Sequence, residues 1–149
     1  MAGSLGGRVL YVATALPDDD PELRRRVRLH RERRPAAWGT VGAGDLEALP
    51  EEAGRWDAVL LDSLTLWVSA RLHVVGEEKT LAGLGRFLEE ISPHPTPFVL
   101  VSDEVGLGVV PESQEGRAFR DVLGVANQRA AQAAEEVHLC VAGVGVRIK

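Results

Sequence analysis

One histidine in this sequence is followed closely by arginines, a combination that can handle phosphate chemistry. His30 precedes Arg31, Arg33 and Arg34, within a stretch of eleven residues (24–34) that holds seven arginines. A neutral imidazole can attack phosphorus to form a phosphoramidate, while guanidinium groups bind phosphate oxygens and stabilise the developing charge. Two structural alternatives stay open: His30 packs where a helix meets a sheet, and the arginines form a solvated helix face.

Hydroxyl and carboxylate side chains follow three separate apolar runs. Thr14 ends the first run, Asp62-Ser63 end the second, and Ser102-Asp103-Glu104 follow the third. If these runs are parallel strands, their carboxyl ends meet at one edge of the sheet, where α/β proteins bind ligands. An aspartate at such a strand end suits a magnesium–nucleotide site, because a hard cation prefers rigidly held oxygen ligands. Asp62 alone is equally well explained as a helix N-cap, so it is the convergence of three strand ends that favours a binding site.

A phosphate-binding loop of the form G-x-x-x-x-G-K-[ST] does not occur in the 149 residues. Lys79-Thr80 is a partial match, but Glu77-Glu78 precede it where the motif requires glycine. Two carboxylates at that position would repel phosphate. We therefore expect Lys79-Thr80 to begin a helix.

Strand and helix patterns alternate along the chain. Strands buried on both faces of a parallel sheet appear as apolar runs without polar alternation, and such runs occur at 9–13, 58–61, 98–101 and 137–142. Helical stripes of apolar residues occur at 64–75, 81–91 and 119–130. A further helix starts at Asp20-Pro21-Glu22, with Leu23, Val27 and His30 on one face and the first two pointing inward. This alternation predicts an α/β fold with a mostly parallel sheet.

The composition is that of one ordinary globular domain over residues 1–149, with 45% hydrophobic and 26% charged residues. The net charge of −5 argues against general nucleic-acid binding. No apolar run approaches the roughly 20 residues that a membrane span needs, and no secretory signal is visible, so we expect a cytoplasmic protein. The single cysteine, Cys140, excludes an internal disulfide and is expected to be buried within its apolar run.

Six blocks of the sequence carry a resemblance to a known family. They are V-L-Y-V-A-T (9–14), L-H-R-E-R-R-P-A-A-W (29–38), L-L-D-S-L-T-L-W-V-S (60–69), V-S-D-E-V-G-L-G-V-V-P-E (101–112), F-R-D-V-L-G-V-A-N-Q-R (119–129) and V-A-G-V-G-V-R-I-K (141–149). In order and spacing they resemble consecutive blocks of the bifunctional adenosylcobinamide kinase / adenosylcobinamide-phosphate guanylyltransferases of cobalamin synthesis.

The resemblance implies a RecA-like fold of the phosphate-loop type and two activities. One is phosphorylation of the aminopropanol side chain of adenosylcobinamide, with GTP or ATP as donor, and the other is guanylylation of the product from GTP. It also implies that His30 is the catalytic residue that carries the guanylyl group, that Asp62 is a ligand of Mg²⁺, and that the protein is a homo-oligomer, with a trimer as one expectation. The implied GTP contacts are Ala13, Thr14, Ala15, Arg31, Glu32, Arg33, Arg34 and Asp62.

The sequence departs from the family pattern at its start. Family members begin with about thirty further residues that contain a strand, G-G-x-R-S-G-K-S and a helix, whereas here residues 1–7 lead directly into the family's second strand. The first strand and the phosphate loop are therefore expected to be missing, and the kinase step is the activity most affected. The alternative to an active guanylyltransferase is a non-catalytic remnant that assembles with family members or binds a corrinoid. Retention of His30-x-x-x-Arg34-Pro35 favours the enzyme.

Overall fold

Four parallel strands form the central sheet, as the alternating pattern predicts. The structure is a computed structural model that describes residues 7–14, 21–32, 34–42 and 46–149, with the side chains of residues 21–24, 26 and 30 outside that description. The sheet strands are β1 (Val9–Ala13), β2 (Gly39–Gly42), β3 (Ala58–Asp62) and β4 (Phe98–Val101). They lie in the order β2-β1-β3-β4, and every neighbouring pair is parallel.

In the part of the chain that the structure describes, four helices accompany the sheet: α1 (Pro21–Glu32), α2 (Leu49–Ala53), α3 (Leu64–Ile91) and α4 (Gln114–Ala133). One face of the sheet, formed by Leu10, Val12, Val59 and Leu61, packs in the main core with α2, α3 and α4. The predicted stripes supply the helical side of that core, including Leu64, Val68, Leu84, Phe87, Val122 and Leu123, all fully buried. The α/β architecture is thereby confirmed.

The opposite face of the sheet holds a smaller apolar group and the polar residues of interest. Val9 and Ala58 are buried there, with Trp38, Leu60 and Val99 packed against them. Because side chains alternate between the faces of a strand, Tyr11 on β1 and Asp62 on β3 also belong to this face. The two faces therefore differ in chemistry, although the strands read as uniformly apolar in sequence.

Strand β2 is an element that the apolar pattern does not predict. Its sequence, G-T-V-G, holds one apolar side chain, yet its backbone pairs with β1 from Gly39 opposite Leu10 to Gly42 opposite Ala13. Glycine is required at position 39 because a Cβ there would overlap the ring of Trp56. The strand is thus specified by close packing and backbone pairing, neither of which leaves a hydrophobic pattern.

Helix α3 consists of two helical halves joined at Gly76, where φ is 78°. The two predicted stripes correspond to these halves. Thr80 is fully buried, and its hydroxyl donates to the carbonyl oxygen of Gly76 at 2.7 Å. Lys79 and Thr80 accordingly lie in the first turns of the second half, which confirms the expectation of a helix start there.

Helix α1 differs from the prediction at Val27. The side chain of Val27 is 44% exposed, whereas the periodicity predicts that it points inward. The neighbouring Arg25, Arg28 and Arg31 are exposed as well, and guanidinium groups are costly to desolvate. A helix this rich in arginine therefore does not bury a continuous stripe through Val27. The side chains of Leu23 and His30, the other two positions of that stripe, lie outside the described residues.

The fourth apolar run was expected to join the parallel sheet, and that expectation is wrong. It forms β5 (His138–Val141), which pairs antiparallel with β6 (Val144–Arg147) in a separate two-stranded sheet. The chain reverses at Ala142 and Gly143, which both have positive φ, as a tight two-residue hairpin turn requires. The run therefore pairs with the segment that follows it and does not cross over to the main sheet. Cys140, expected to be buried, is exposed on this hairpin.

Candidate active site

Thr14 and Ser63 join the carboxyl ends of β1 and β3. The Thr14 hydroxyl donates to the carbonyl oxygen of Ser63 and accepts from the backbone N–H of Ser63, both at 2.7 Å. The backbone N–H of Thr14 donates to the carbonyl oxygen of Asp62 at 3.3 Å. Thr14 is only 2% exposed and uses its hydroxyl hydrogen within the protein. Thr14 therefore holds both residues of the Asp62–Ser63 junction, Ser63 through its side chain and Asp62 through its backbone N–H.

Tyr11 contacts the carboxylate of Asp62. On β1, Tyr11 and Ala13 point to the same face, and Ala13 pairs with Asp62 across the strands. This register lets the Tyr11 hydroxyl donate to Oδ2 of Asp62. Burial, reinforced by the hydrogen bond to Asp62 and its negative charge, raises the pKa of Tyr11 to about 12, while the Arg34 guanidinium acts in the opposite direction. The phenol therefore stays protonated at neutral pH and acts as a donor.

The guanidinium of Arg34 lies over the ring of the same tyrosine. Its guanidinium carbon is 3.3 Å from the centroid of the Tyr11 ring, the geometry of a cation–π contact. Nη1 donates to the hydroxyl of Thr40 on β2 at 3.1 Å. Nε is buried and has no hydrogen-bond partner among the described residues. We call Tyr11, Arg34, Thr40 and Asp62 the Arg34 cluster.

The end of the third predicted strand forms a second group. The Ser102 hydroxyl donates to Oδ1 of Asn127 at 2.6 Å, and Nδ2 of Asn127 donates to the carbonyl oxygen of Asp103 at 3.1 Å. The backbone N–H of Asp103 donates to the Thr65 hydroxyl at 2.8 Å. We call Thr65, Ser102, Asp103 and Asn127 the Ser102 cluster. It connects β4 with α3 and α4.

The remaining predicted site residues fall into three groups. Ala13 is the last residue of β1 and pairs with Gly42 and Asp62. Arg31 and Glu32 are exposed at the end of α1, where Glu32 forms a 3.9 Å ion pair with Arg28. His30 lies in α1, four residues before Arg34, with its side chain outside the described residues; Ala15 and Arg33 lie outside them entirely. The structure thus brings Thr14, Arg34 and Asp62 to one place.

Comparison with known proteins identifies the family. The model of the cobinamide kinase / cobinamide phosphate guanyltransferase family matches residues 1–148. The chain belongs to this family. It is 38% identical over 157 residues to the bifunctional adenosylcobalamin biosynthesis protein CobU of Salmonella typhimurium, a match that covers 95% of this chain and 86% of that protein.

Two further relatives agree with this assignment. The bifunctional adenosylcobalamin biosynthesis protein CobU of Escherichia coli is 36% identical over 157 residues, which cover 95% of this chain and 86% of that protein. The bifunctional adenosylcobalamin biosynthesis protein CobP of Pseudomonas aeruginosa is 36% identical over 154 residues, which cover the whole of this chain and 87% of that protein. The resemblance carried by the six sequence blocks is therefore confirmed.

Members of the cobinamide kinase / cobinamide phosphate guanyltransferase family use nucleotide substrates, and proteins commonly bind nucleotide phosphates together with Mg²⁺. Within the described residues, no group of three or more His, Cys, Asp and Glu side chains could hold a metal ion. A cation that is bound together with a nucleotide needs fewer protein ligands, because Mg²⁺ often takes one or two protein carboxylates and completes its shell with water and phosphate. Asp62 fits that limited role. None of the helices that the structure describes is long and apolar enough to cross a membrane.

Two members of the Arg34 cluster, Tyr11 and Thr40, were missed in the sequence. Tyr11 sits inside an apolar run and was counted as a core residue. A signal existed nonetheless, because a tyrosine in a strand that is otherwise apolar needs a hydrogen-bond partner for its hydroxyl. Thr40 gave no such signal, since β2 itself was not predicted.

Proposed function

We propose that this chain transfers a guanylyl group from GTP to adenosylcobinamide phosphate by way of a covalent intermediate on His30. The observation that carries the proposal is the position of Arg34. It follows His30 by four residues in the H-x-x-x-R-P block, and its guanidinium lies on the ring of the tyrosine that also contacts Asp62. A guanidinium that can bind phosphate and a carboxylate thus contact the same tyrosine on one face of a parallel sheet, and the carboxylate stands at the carboxyl end of its strand, where α/β proteins bind nucleotides.

The chemistry proceeds in two balanced steps. A neutral imidazole nitrogen of His30 attacks the α-phosphorus of GTP, a nitrogen–phosphorus bond forms, and the bond to the β-phosphate oxygen breaks with release of pyrophosphate. A phosphate oxygen of adenosylcobinamide phosphate then attacks the same phosphorus. The nitrogen–phosphorus bond breaks, the histidine is restored, and the product carries a new diphosphate linkage to guanosine.

Arg34 and Asp62 have complementary roles in this proposal. The planar guanidinium of Arg34 binds phosphate oxygens and stabilises the negative charge that builds up during transfer. The other proposed GTP contacts are Ala13, Thr14, Ala15, Arg31, Glu32 and Arg33. Magnesium supplied with the nucleotide would neutralise phosphate charge, and Asp62 is the residue that would hold it.

The proposal concerns guanylyl transfer because Arg34 belongs to the H-x-x-x-R-P block, which by resemblance serves that reaction. The kinase step depends in phosphate-loop proteins on backbone N–H groups and a lysine, and the G-x-x-x-x-G-K-[ST] motif that provides them does not occur in the 149 residues.

The experiment is to incubate the protein with magnesium and excess GTP and to record its intact mass. We expect a guanylyl adduct that is lost in acid, as a phosphoramidate should be. The adduct should disappear in His30→Ala and persist when His73, His94 or His138 is changed to alanine. These are the other three histidines of the chain, and they provide matched controls.

No adduct from a folded protein at millimolar GTP would contradict the enzymatic proposal. It would favour the alternative of a non-catalytic family member that assembles with other subunits or binds a corrinoid. An adduct that persists in His30→Ala would instead place the intermediate on another residue.

We also infer that the chain forms a homo-oligomer, with a trimer as the expected state. The support is an exposed apolar face on the β5–β6 hairpin. Leu139 pairs with Val146 and Val141 with Val144, so these four side chains share one face, and all four are exposed. Apolar faces of this kind are normally covered by a partner.

Light scattering at micromolar concentration measures the assembly state. Val141→Glu should shift the protein towards the monomer, whereas Cys140→Ser, on the opposite face of the hairpin, should leave the mass unchanged. A monomeric wild-type protein would contradict the assembly proposal without affecting the proposed chemistry.

A further inference from the structure

We propose, as an extension of the proposed function, that Tyr11 is a positioning residue for guanylyl transfer: its ring holds the guanidinium of Arg34 and its hydroxyl holds the carboxylate of Asp62. One side chain would then set the places of the two charged groups that the nucleotide meets. Nothing in the sequence pattern assigns Tyr11 such a role.

The strand register makes this arrangement possible. Tyr11 lies opposite Thr40 on β2 and opposite Leu60 on β3, with Asp62 two residues further along β3 on the same face. The Tyr11 ring therefore lies between the strand that anchors Arg34 through Thr40 and the strand that ends in Asp62. Arg34 is fixed by two contacts of different kinds, the ring face at 3.3 Å and the Thr40 hydroxyl at 3.1 Å.

Two parts of the Tyr11 side chain suit groups of opposite charge. The face of an aromatic ring carries partial negative charge and attracts a cation, whereas a phenolic O–H donates to an anion. Held in this way, each group is oriented by an uncharged partner. Arg34 and Asp62 consequently reach the nucleotide without having to separate from an ion pair with each other.

A purely structural role for Tyr11 predicts different consequences. The side chain is only 7% exposed on a central strand, so its loss should lower stability in any case. A structural role would affect GTP binding by the same factor whether or not Arg34 is present. A positioning role requires that the effect on GTP binding depend on Arg34.

The test is a double-mutant cycle with Tyr11→Ile and Arg34→Ala, in which GTP binding is measured by titration calorimetry and adduct formation by intact mass. We expect Tyr11→Ile to raise the GTP dissociation constant about tenfold when Arg34 is present, within the range of a desolvated cation–π contact. In the Arg34→Ala background the same change should have an effect of less than about twofold.

Two further variants complete the test. One separates the role of the Tyr11 ring from that of its hydroxyl, and the other controls for a loss of stability. Tyr11→Phe keeps the ring and loses the donor to Asp62, so GTP affinity should stay within about twofold while the maximal rate of adduct formation falls several-fold. Val12→Ala lies on the opposite face of β1, in the main core. It should lower the unfolding temperature without changing GTP affinity.

Each outcome decides the matter. Equal effects of Tyr11→Ile in both backgrounds, or an equal loss of affinity in Tyr11→Phe and Tyr11→Ile, would overturn the positioning role and leave the proposed function intact. If Tyr11→Ile does not fold, the split between affinity and rate in Tyr11→Phe decides: unchanged affinity with a lower rate supports the proposal, and unchanged values of both overturn it. A folded wild-type protein that binds no GTP would overturn the proposed function and the role of Tyr11 together.

Discussion

The Arg34 cluster and the Ser102 cluster each include a residue at the carboxyl end of one of two neighbouring strands, Asp62 at the end of β3 and Ser102 after β4, yet their hydrogen bonds are arranged differently. In the Arg34 cluster, one tyrosine contacts a cation with its ring and an anion with its hydroxyl. In the Ser102 cluster, side-chain hydroxyl and amide groups bond to each other and to backbone groups of Asp103. The first cluster holds charged groups in place with neutral partners, whereas the second joins elements through neutral groups.

This difference indicates which polar residues near a strand end can bind a ligand and which mainly stabilise the fold. Charges that are oriented by uncharged partners keep their capacity to attract an oppositely charged ligand. Neutral groups that satisfy one another mainly stabilise the packing of the elements that carry them. Three predictions follow from that contrast, beginning with the largest effect.

Replacement of Arg34 should impair binding far more than stability. For Arg34→Ala we expect the GTP dissociation constant to rise about 10- to 100-fold, the equivalent of hydrogen bonds to a charged group worth about 1.5–3 kcal/mol. The free energy of unfolding should fall by less than about 1 kcal/mol, because the side chain is only partly buried. Calorimetry and urea unfolding measure the two quantities, and a large loss of stability with unchanged affinity would reverse the assignment of the cluster.

Replacement of Asn127 should give the opposite result. Asn127→Ala removes the partner of Ser102 and the donor to Asp103, so the free energy of unfolding should fall by about 1–3 kcal/mol. The GTP dissociation constant should remain within about twofold of the wild-type value. Gln128→Ala, at the exposed neighbouring position of α4, is the matched control and should leave both quantities unchanged. A marked loss of GTP affinity in Asn127→Ala would place the Ser102 cluster in the binding site.

The smallest effect concerns the titration of Tyr11. It is the only tyrosine in the chain, so phenolate absorption near 295 nm reports on it alone. We expect its pKa at about 12, against a usual value of 10.0, and Asp62→Asn should lower that pKa by removing the negative charge. Arg34→Ala should raise it further. A pKa near 10 in the folded protein would contradict the burial of Tyr11 together with its contact with Asp62.

The sign of the accompanying stability effect follows from the direction of the shift. The folded pKa of Tyr11 lies above the unfolded value, so the contribution is fully present below pH 10. It is lost as the pH rises from 10 towards 12, because the unfolded chain gives up its phenolic proton first. Unfolding measured across this interval should show a decline that is absent in Tyr11→Phe.

The parts of the fold that follow from burial were predictable from sequence. Strands β1 and β3 are mostly buried in the parallel sheet and β4 is partly buried, and all three leave apolar runs in the sequence. The helices that cover one face leave periodic stripes. Strand β2 is specified by backbone pairing and by the contact between Gly39 and Trp56, and it leaves no such pattern. The run at 137–142 was misassigned because apolar composition does not distinguish a crossover strand from a local hairpin.

The residues of the candidate site were likewise predictable only in part. Thr14 and Asp62 were predicted because hydroxyl and carboxylate groups stand out at the ends of apolar runs. Arg34 was predicted because it follows His30 in an arginine-rich segment. Tyr11 and Thr40 were not, since their roles depend on the register between β2, β1 and β3, which appears only in three dimensions. The predicted role of His30 stays a prediction, to be decided by the adduct experiment.

The packing of Trp56 against Gly39 makes this protein sensitive to mutation at residue 39, which has no functional side chain of its own. Any codon change that gives residue 39 a side chain forces the backbone of β2 or the indole ring to move. The next residue is Thr40, whose hydroxyl fixes Arg34. The addition of one methyl group at residue 39 would therefore disturb the strand that holds Arg34, with every charged residue of the Arg34 cluster unchanged.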